Sequence, residues 1–181
     1  MPIYAITGAN RGLGLEFARQ LLSDSSNTVI GAVRSLENDF SDLESHLNRK
    51  GQLHILECDT SSSASISKFG EEVSRILGPD GKLDYLLNNA GINTVPSQNS
   101  LSLNEADLQQ HISINVFGPA KTVQVLLPHL QKGSVVMNMV GSSPFIRRIR
   151  TDDFSRLPAW AVSSGVLPFL CVRRTVSAKL H

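Results

Sequence analysis

The sequence predicts an α/β fold of three layers, a doubly wound parallel sheet with helices on both faces. Three observations carry this. Short apolar runs alternate with helical patterns along the chain. A glycine-rich stretch, Thr7-Gly8-Ala9-Asn10-Arg11-Gly12-Leu13-Gly14, joins the first apolar run to the first helical one. There is no internal repeat and no low-complexity linker, so residues 1–181 read as one domain.

The first strand is Ile3-Tyr4-Ala5-Ile6, and the helix after the glycines continues to Leu22. Gly8 suits backbone angles closed to other residues, and Gly12 and Gly14 let a ligand and a neighbouring strand come close. The positive end and free N–H groups of the helix then face a phosphate. The alternative is a tight strand-to-helix turn with no ligand. Thr28–Val33 is the second strand and ends at Arg34, and a helix with Phe40, Leu43 and Leu47 on one face follows. Leu53-His54-Ile55-Leu56 is the third strand and ends near Asp59. Thr60-Ser61-Ser62 caps a helix whose apolar positions include Ile66, Phe69, Val73 and Ile76.

Gly78-Pro79-Asp80-Gly81 is a turn. The fourth strand, Leu83–Leu87, runs into Asn88-Asn89-Ala90-Gly91. After a loop with Pro96, a helical stretch runs from about Leu103 to Gln131, bent or interrupted at Gly118 and Pro119. Ser134–Val140 is the fifth strand. The loop from Gly141 to Pro158 carries Arg147, Arg148 and Arg150, either solvated charges or an anionic-substrate site. A helix from Ala159 to about Lys179 ends the pattern, interrupted near Pro168.

Hydrophobic residues make up 41% and charged residues 18%, which suits a packed globular fold. A net charge of +1 argues against a nucleic-acid or anionic-membrane surface. No apolar run reaches the ~20 residues of a membrane span. No basic region with an apolar signal core opens the chain, so a cytoplasmic protein is expected. Ala178-Lys179-Leu180 is similar to a peroxisomal signal but is followed by His181. Cys58 and Cys171 lack metal-ligand spacing, so no metal is expected. They read as reduced, buried thiols, with a disulfide as the alternative.

Four separated features resemble the short-chain dehydrogenase/reductase family. They are Thr7-Gly8-x-x-x-Gly12-x-Gly14, Asp59 after the third strand, Asn88-Asn89-Ala90-Gly91 after the fourth, and Asn115 within Ser113-Ile114-Asn115-Val116-Phe117-Gly118. The match in order covers nearly the whole chain. The resemblance implies a Rossmann-type sheet with a nicotinamide dinucleotide at the carboxyl ends of its strands. Thr7, Gly8, Asn10, Arg11, Gly12, Leu13, Gly14, Arg34, Asp59, Asn89, Ala90 and Gly91 would then hold the cofactor, and Asn115 would hold a kinked helix and a water. On the residues alone, Asp59 suits either an adenine amino group or a helix cap, Asn88 and Asn89 suit backbone groups at strand ends, and Asn115 suits an ordinary helical amide.

An NAD site usually presents an acid ~20 residues beyond the glycines. That neighbourhood reads Ala32-Val33-Arg34-Ser35, with no acid. Arg34 and Arg11 offer guanidinium groups that attract a 2′-phosphate, or are surface charges. Together they favour NADP(H).

The family's catalytic pair is Tyr-x-x-x-Lys on the last helix. Here those positions hold Trp160 and Ser164. An indole N–H does not give up its proton near neutral pH, and a serine carries no charge to lower a neighbour's pKa. Tyr4 and Tyr85 lie on predicted strands away from the expected site. The family's two serines fall on Val140 and Gly141, so Ser142 is the candidate carbonyl-polarising serine, or with Ser143 a polar turn before Pro144. Family members continue with further strands, so the fold is expected to stop short after the helix that follows the fifth strand.

The expected function is NADP(H)-dependent oxidoreduction of a small-molecule carbonyl or alcohol, with impaired activity. The alternative is an inactive NADP-binding relative, or a truncated product, that acts through binding. Homo- or heterodimers through Asn115–Gln131 and Ala159–Lys179 are expected.

Overall fold

The computed structural model describes residues 1–37, 43, 50–93, 102 and 104–139. Five parallel strands form one sheet: β1 (Ile3–Thr7), β2 (Thr28–Val33), β3 (Gln52–Glu57), β4 (Tyr85–Asn88) and β5 (Val135–Asn138). Their spatial order is β3-β2-β1-β4-β5. The chain moves outward from β1 to β3 and then crosses to the other side of β1, so the order reverses between β1 and β4. Open α/β sheets bind ligands at that reversal, beyond the carboxyl ends of the strands.

The helices are α1 (Gly12–Leu21), α2 (Ser63–Leu77), α3 (Glu105–Ile112) and α4 (Gly118–Leu126). A π turn over Ser113–Phe117 joins α3 to α4, and a short 3-10 turn, Leu127–His129, follows. Among the described residues no helix is long and apolar enough to cross a membrane.

Strand alternation sends side chains to two cores. Ala5, Ile30 and Leu86 meet α2 and α4 around the fully buried Phe69 on one face. Ile6, Val29 and Leu87 meet α1 and Leu43 on the other. Both faces are apolar, as covered parallel strands require, and all of β2 is buried. Gly70 lets α2 approach α4, because a Cβ there would lie 2.8 Å from the Cβ of Val125.

The sequence reading of β2 matches the structure residue for residue. β4 starts two residues later than the apolar run suggests. Leu83 is buried, but its N–H donates to the His129 carbonyl outside the ladder (2.9 Å). β5 spans Val135–Asn138, with Ser134 and Met139 outside it, while Val140 lies outside the described residues. The helical stretch expected from about Leu103 to Gln131, bent or interrupted at Gly118 and Pro119, is divided by the π turn that ends at Phe117, and Gly118-Pro119 open the next helix. Phe40, Leu47, Pro96, the loop from Gly141 to Pro158, the last helix and Cys171 lie outside the described residues.

At the amino end of the sheet, Asp84 accepts from the Ile3 N–H and pairs with Lys82 (both 2.9 Å). Burial pushes its carboxyl up. Hydrogen bonds from Lys82 and Ile3, with the charges of Lys82 and the chain's amino terminus, outweigh that and hold it below the usual carboxylate value. A depressed carboxyl stabilises the fold above its unfolded pKa, and that stability is lost as pH falls through the folded value. Asp84→Asn should therefore cost about 1 kcal/mol at neutral pH. The gap from the parent should close as pH drops below the ordinary carboxylate range. Chemical denaturation at both pH values checks this, and a pH-independent gap would contradict it.

Candidate functional site

β1 ends at Thr7, and the chain turns at once. Gly8 (φ +69°) and Gly12 (φ +56°) hold left-handed conformations that favour glycine. The N–H groups of Gly8 and Ala9 both donate to the Ala32 carbonyl at 2.8 and 3.1 Å, which pins the turn to β2. Gly14 sits against the turn, and a Cβ there would lie 2.2 Å from the Gly8 carbonyl oxygen.

α1 opens without a side-chain cap. Its N-cap residue is Arg11, and the first turn holds no acid. The contrast with the other helices is clear: Ser62 accepts from the Ser65 N–H at the start of α2, and Asn104 from Asp107 N–H at the start of α3. Uncapped first-turn N–H groups and a positive dipole end favour an anion. Leu13 and Arg11 are exposed here, and Asn10 is half-buried.

Parallel register brings the other elements to the same edge. Thr7 pairs with Ala32, Val33 with Glu57, and Asn88 with Asn138. Arg34 and Asn89 follow directly after β2 and β4, and Asp59 comes two residues after the end of β3. Arg34 is exposed. Asp59 Oδ1 accepts from the N–H and hydroxyl of Ser61 at 2.9 and 2.7 Å, while its own N–H donates to Ser65 Oγ. Asp59 thus closes the turn before α2, and Ser62 is the cap, which resolves one of the alternatives open in the sequence. Beside it, burial and then the Asp59 charge push the Cys58 thiol up to about 12, so it stays protonated and is a poor nucleophile.

The segment after β4 is held by a knot of side-chain bonds. Thr7 Oγ1 accepts from the N–H groups of Asn89 and Ala90 (both 3.0 Å). Asn89 Nδ2 donates to the carbonyls of Thr7 and Gly8 at 3.0 and 3.2 Å. Gly8 and Ala90 are in close contact, with room for no larger residue at Gly8. Asn88 behaves differently from its neighbour. Its Nδ2 donates to Asn138 Oδ1 across the sheet (2.9 Å), and its buried Oδ1 has no partner among the described residues.

Asn115 lies in the π turn, where it grips one residue from both sides. Its Oδ1 accepts from the Ile92 N–H at 2.9 Å, and its Nδ2 donates to the Ile92 carbonyl at 3.1 Å. Single π turns within helices are frequent at functional sites. Gly91 faces the same amide; a Cβ there would be 3.3 Å from Asn115 Oδ1. Ile92, Ala32 and Asn138 are participants that sequence reasoning missed. The first two act through backbone atoms, which carry no residue signature. Asn138 left one trace, an amide in an otherwise apolar strand.

Tyr4 and Tyr85 stack with ring centroids 4.6 Å apart, and their strand positions lie toward the amino ends of β1 and β4. They stand away from this site. Ser142, Trp160 and Ser164 lie outside the described residues.

Comparison with known proteins places this arrangement. The pattern described as short chain dehydrogenase matches residues 2–144. A short chain dehydrogenase of Hypocrea virens is 30% identical over 177 residues, 92% of this chain and 65% of that protein. A short-chain dehydrogenase/reductase of Aspergillus aculeatus is 38% identical over 166 residues, 84% of this chain and 60% of that one. The chain thus spans less than two thirds of the length of these relatives. Among solved structures, the NADPH-bound carbonyl reductase from chicken fatty liver superposes with a TM-score of 0.80 at 23% identity, covering 94% of this chain and 72% of that one. The carbonyl reductase Sniffer of Caenorhabditis elegans gives 0.80 at 24% identity, over 93% and 77%.

The knot at Thr7 makes a direct prediction. Thr7→Val keeps the shape but leaves two N–H groups at the strand ends without an acceptor, which costs about 2 kcal/mol or more. The melting temperature should drop by roughly 4–8 °C. Thr7→Ser should retain most of the parent's stability in the same thermal melt. Equal losses for the two variants would contradict a hydrogen-bonding role.

Proposed function

The chain belongs to the short-chain dehydrogenase family, and we propose that it is an NADP(H)-dependent oxidoreductase acting on a small-molecule carbonyl or alcohol. The observation that carries this reading is the glycine turn running into an uncapped α1, with two arginines at the same strand edge. The first-turn N–H groups of α1 suit the pyrophosphate. Arg11 and Arg34 suit the 2′-phosphate, and Ala32–Ser35 supply no acid to repel it. The conformations of Gly8 and Gly12 and the close approach at Gly14 suit a backbone cradle for a dinucleotide.

Bound NADP(H) supplies hydride chemistry. In this reading the chain's own residues bind and orient. Thr7, Gly8, Asn10, Gly12, Leu13 and Gly14 form the phosphate turn. Asn89, Ala90 and Gly91 line the segment that passes beside it. Thr7 and Asn89 act through the knot, since their side chains are engaged with backbone groups. Asn115 positions Ile92 and Gly91 next to the same segment. Asp59 orders the loop after β3 on the adenine side.

Proton transfer is the weak half of the site. Trp160 and Ser164 stand where the family's acid and its lysine are expected, so we infer low turnover in this chain. Ser142 is the remaining candidate to polarise a carbonyl. The same two residues favour a second reading, a family member that binds NADP(H) and turns over little or nothing.

Two measurements separate these. Arg34→Ala and Arg11→Ala should each weaken NADPH binding about tenfold, equivalent to ~1.4 kcal/mol, while NADH binding changes little. Equal effects on both dinucleotides would contradict the assignment of the arginines. Restoring the acid and its partner with Trp160→Tyr and Ser164→Lys should raise NADPH-dependent carbonyl reduction by roughly 10²-fold or more. A parent that already matches the double variant would overturn the inference of low turnover.

A further inference from the structure

The amino side of the sheet, opposite the candidate site, holds a buried histidine with three partners. His129 ends the 3-10 turn after α4 and is 4% exposed. Its carbonyl accepts from the Leu83 N–H ahead of β4 (2.9 Å). Its ring Nδ1 lies 2.8 Å from the Gly81 carbonyl oxygen, and its Nε2 lies 2.8 Å from Ser74 Oγ on α2. The residue thereby ties the end of α4 to α2 and to the turn before β4. These partners decide where the protons are. A carbonyl only accepts, so Nδ1 carries a hydrogen. Ser74 Oγ has one hydrogen and two acceptors in reach, Nε2 and the Gly70 carbonyl at 2.9 Å. Given to Nε2, that hydrogen pairs a neutral ring. Given to Gly70, it leaves Oγ to accept from an Nε2–H, which pairs a charged ring. The heavy atoms keep their places in both arrangements.

We propose that His129 takes up a proton inside the folded chain while the Ser74 hydroxyl turns from Nε2 to the Gly70 carbonyl, a proton-operated joint between α2, α4 and β4. One proton comes from solvent and ends on Nε2; no other covalent bond forms or breaks. Ser74 is half-buried, so its hydroxyl is the proton's way in. The reversal moves one hydrogen bond from the ring to the α2 backbone at Gly70, the residue where α2 touches Val125 of α4. Charged side chains on the surrounding elements are Glu71 and Arg75 of α2, Lys121 of α4, Asp80 in the turn, Lys82 and Asp84 ahead of β4, and Lys132 beyond the 3-10 turn. Glu71 pairs with Arg75 (3.8 Å) and Lys82 with Asp84 (2.9 Å). Among the described residues none forms an ion pair with His129. The joint therefore works through its hydrogen bonds, and the hydroxyl that can face either way is what lets a buried ring keep partners in both charge states.

Ring-nitrogen magnetic resonance of the full chain, labelled at histidine, tests this from about pH 8 to about pH 5. His129 is identified by its through-space contacts to Ser74 and Gly81. At the upper end Nδ1 should bear the hydrogen and Nε2 should be bare. On acidification Nε2 should move to the protonated position with the far-ultraviolet spectrum unchanged. A ring bare at Nδ1, one charged throughout, or one that stays neutral until the chain unfolds overturns the proposal. Ser74→Ala supplies a second reading. A charged N–H left without an acceptor costs more than a neutral nitrogen left without a donor. The unfolded state is common to parent and variant, so their difference reports the folded ring. The variant's loss of melting temperature, roughly 2–4 °C at the upper pH, should grow as pH falls. A loss that is constant or shrinks with acid also overturns the proposal. If the variant fails to fold, the parent's ring spectra decide alone.

Discussion

Two side chains, Thr7 and Asn89, hold together everything that makes this fold a candidate binding site. Each strand end leaves backbone groups with no ladder partner, and burial without partners is costly. At the reversal between β1 and β4 those groups are tied to each other: one hydroxyl accepts two N–H groups, and one amide donates to two carbonyls. The glycine turn and the loop after β4 thereby become one rigid unit. Asn115 extends it by gripping Ile92, so that the π turn between α3 and α4 is fixed to the same edge. Among the described residues, the first turn of α1 beside this unit has no side-chain cap.

Much of this was legible in the sequence. β2 was readable because a wholly buried strand gives an unbroken run of apolar and small residues. The glycine turn was readable because only glycine tolerates both the positive φ at Gly8 and Gly12 and the contact at Gly14. The π turn was not. Its residues keep a helical pattern, and the extra residue is set by Asn115 reaching a backbone 23 positions away. The start of β4 was misplaced for a similar reason, since Leu83 is as apolar as a strand residue but bonds to His129. The pairing of Asn88 with Asn138 joins residues 50 apart and had no local signature. Local chemistry predicts turns and buried strands well, whereas long-range amide bonds depend on the assembled sheet.

The two halves of the proposed activity have different standing in the residues. The nucleotide side is built from backbone and small side chains, and its parts fit one another. The proton side depends on Trp160 and Ser164, whose chemistry is unlike that of a tyrosine and a lysine. The proposal of binding without efficient turnover rests on this difference, because a cradle for phosphates and a source of protons are separate constructions.

The central claim is that the carboxyl edge at β1 and β4 holds NADP(H). Amide chemical shifts followed during titration of the full chain with NADPH test it most directly. The account predicts saturable shifts confined to Gly8–Leu15, Arg34 and Ala90–Ile92, weaker with NADH, and no response at Tyr85 or Ser134–Val136. Absence of saturable shifts in the glycine turn, or equal responses to NADH and NADPH, would contradict it.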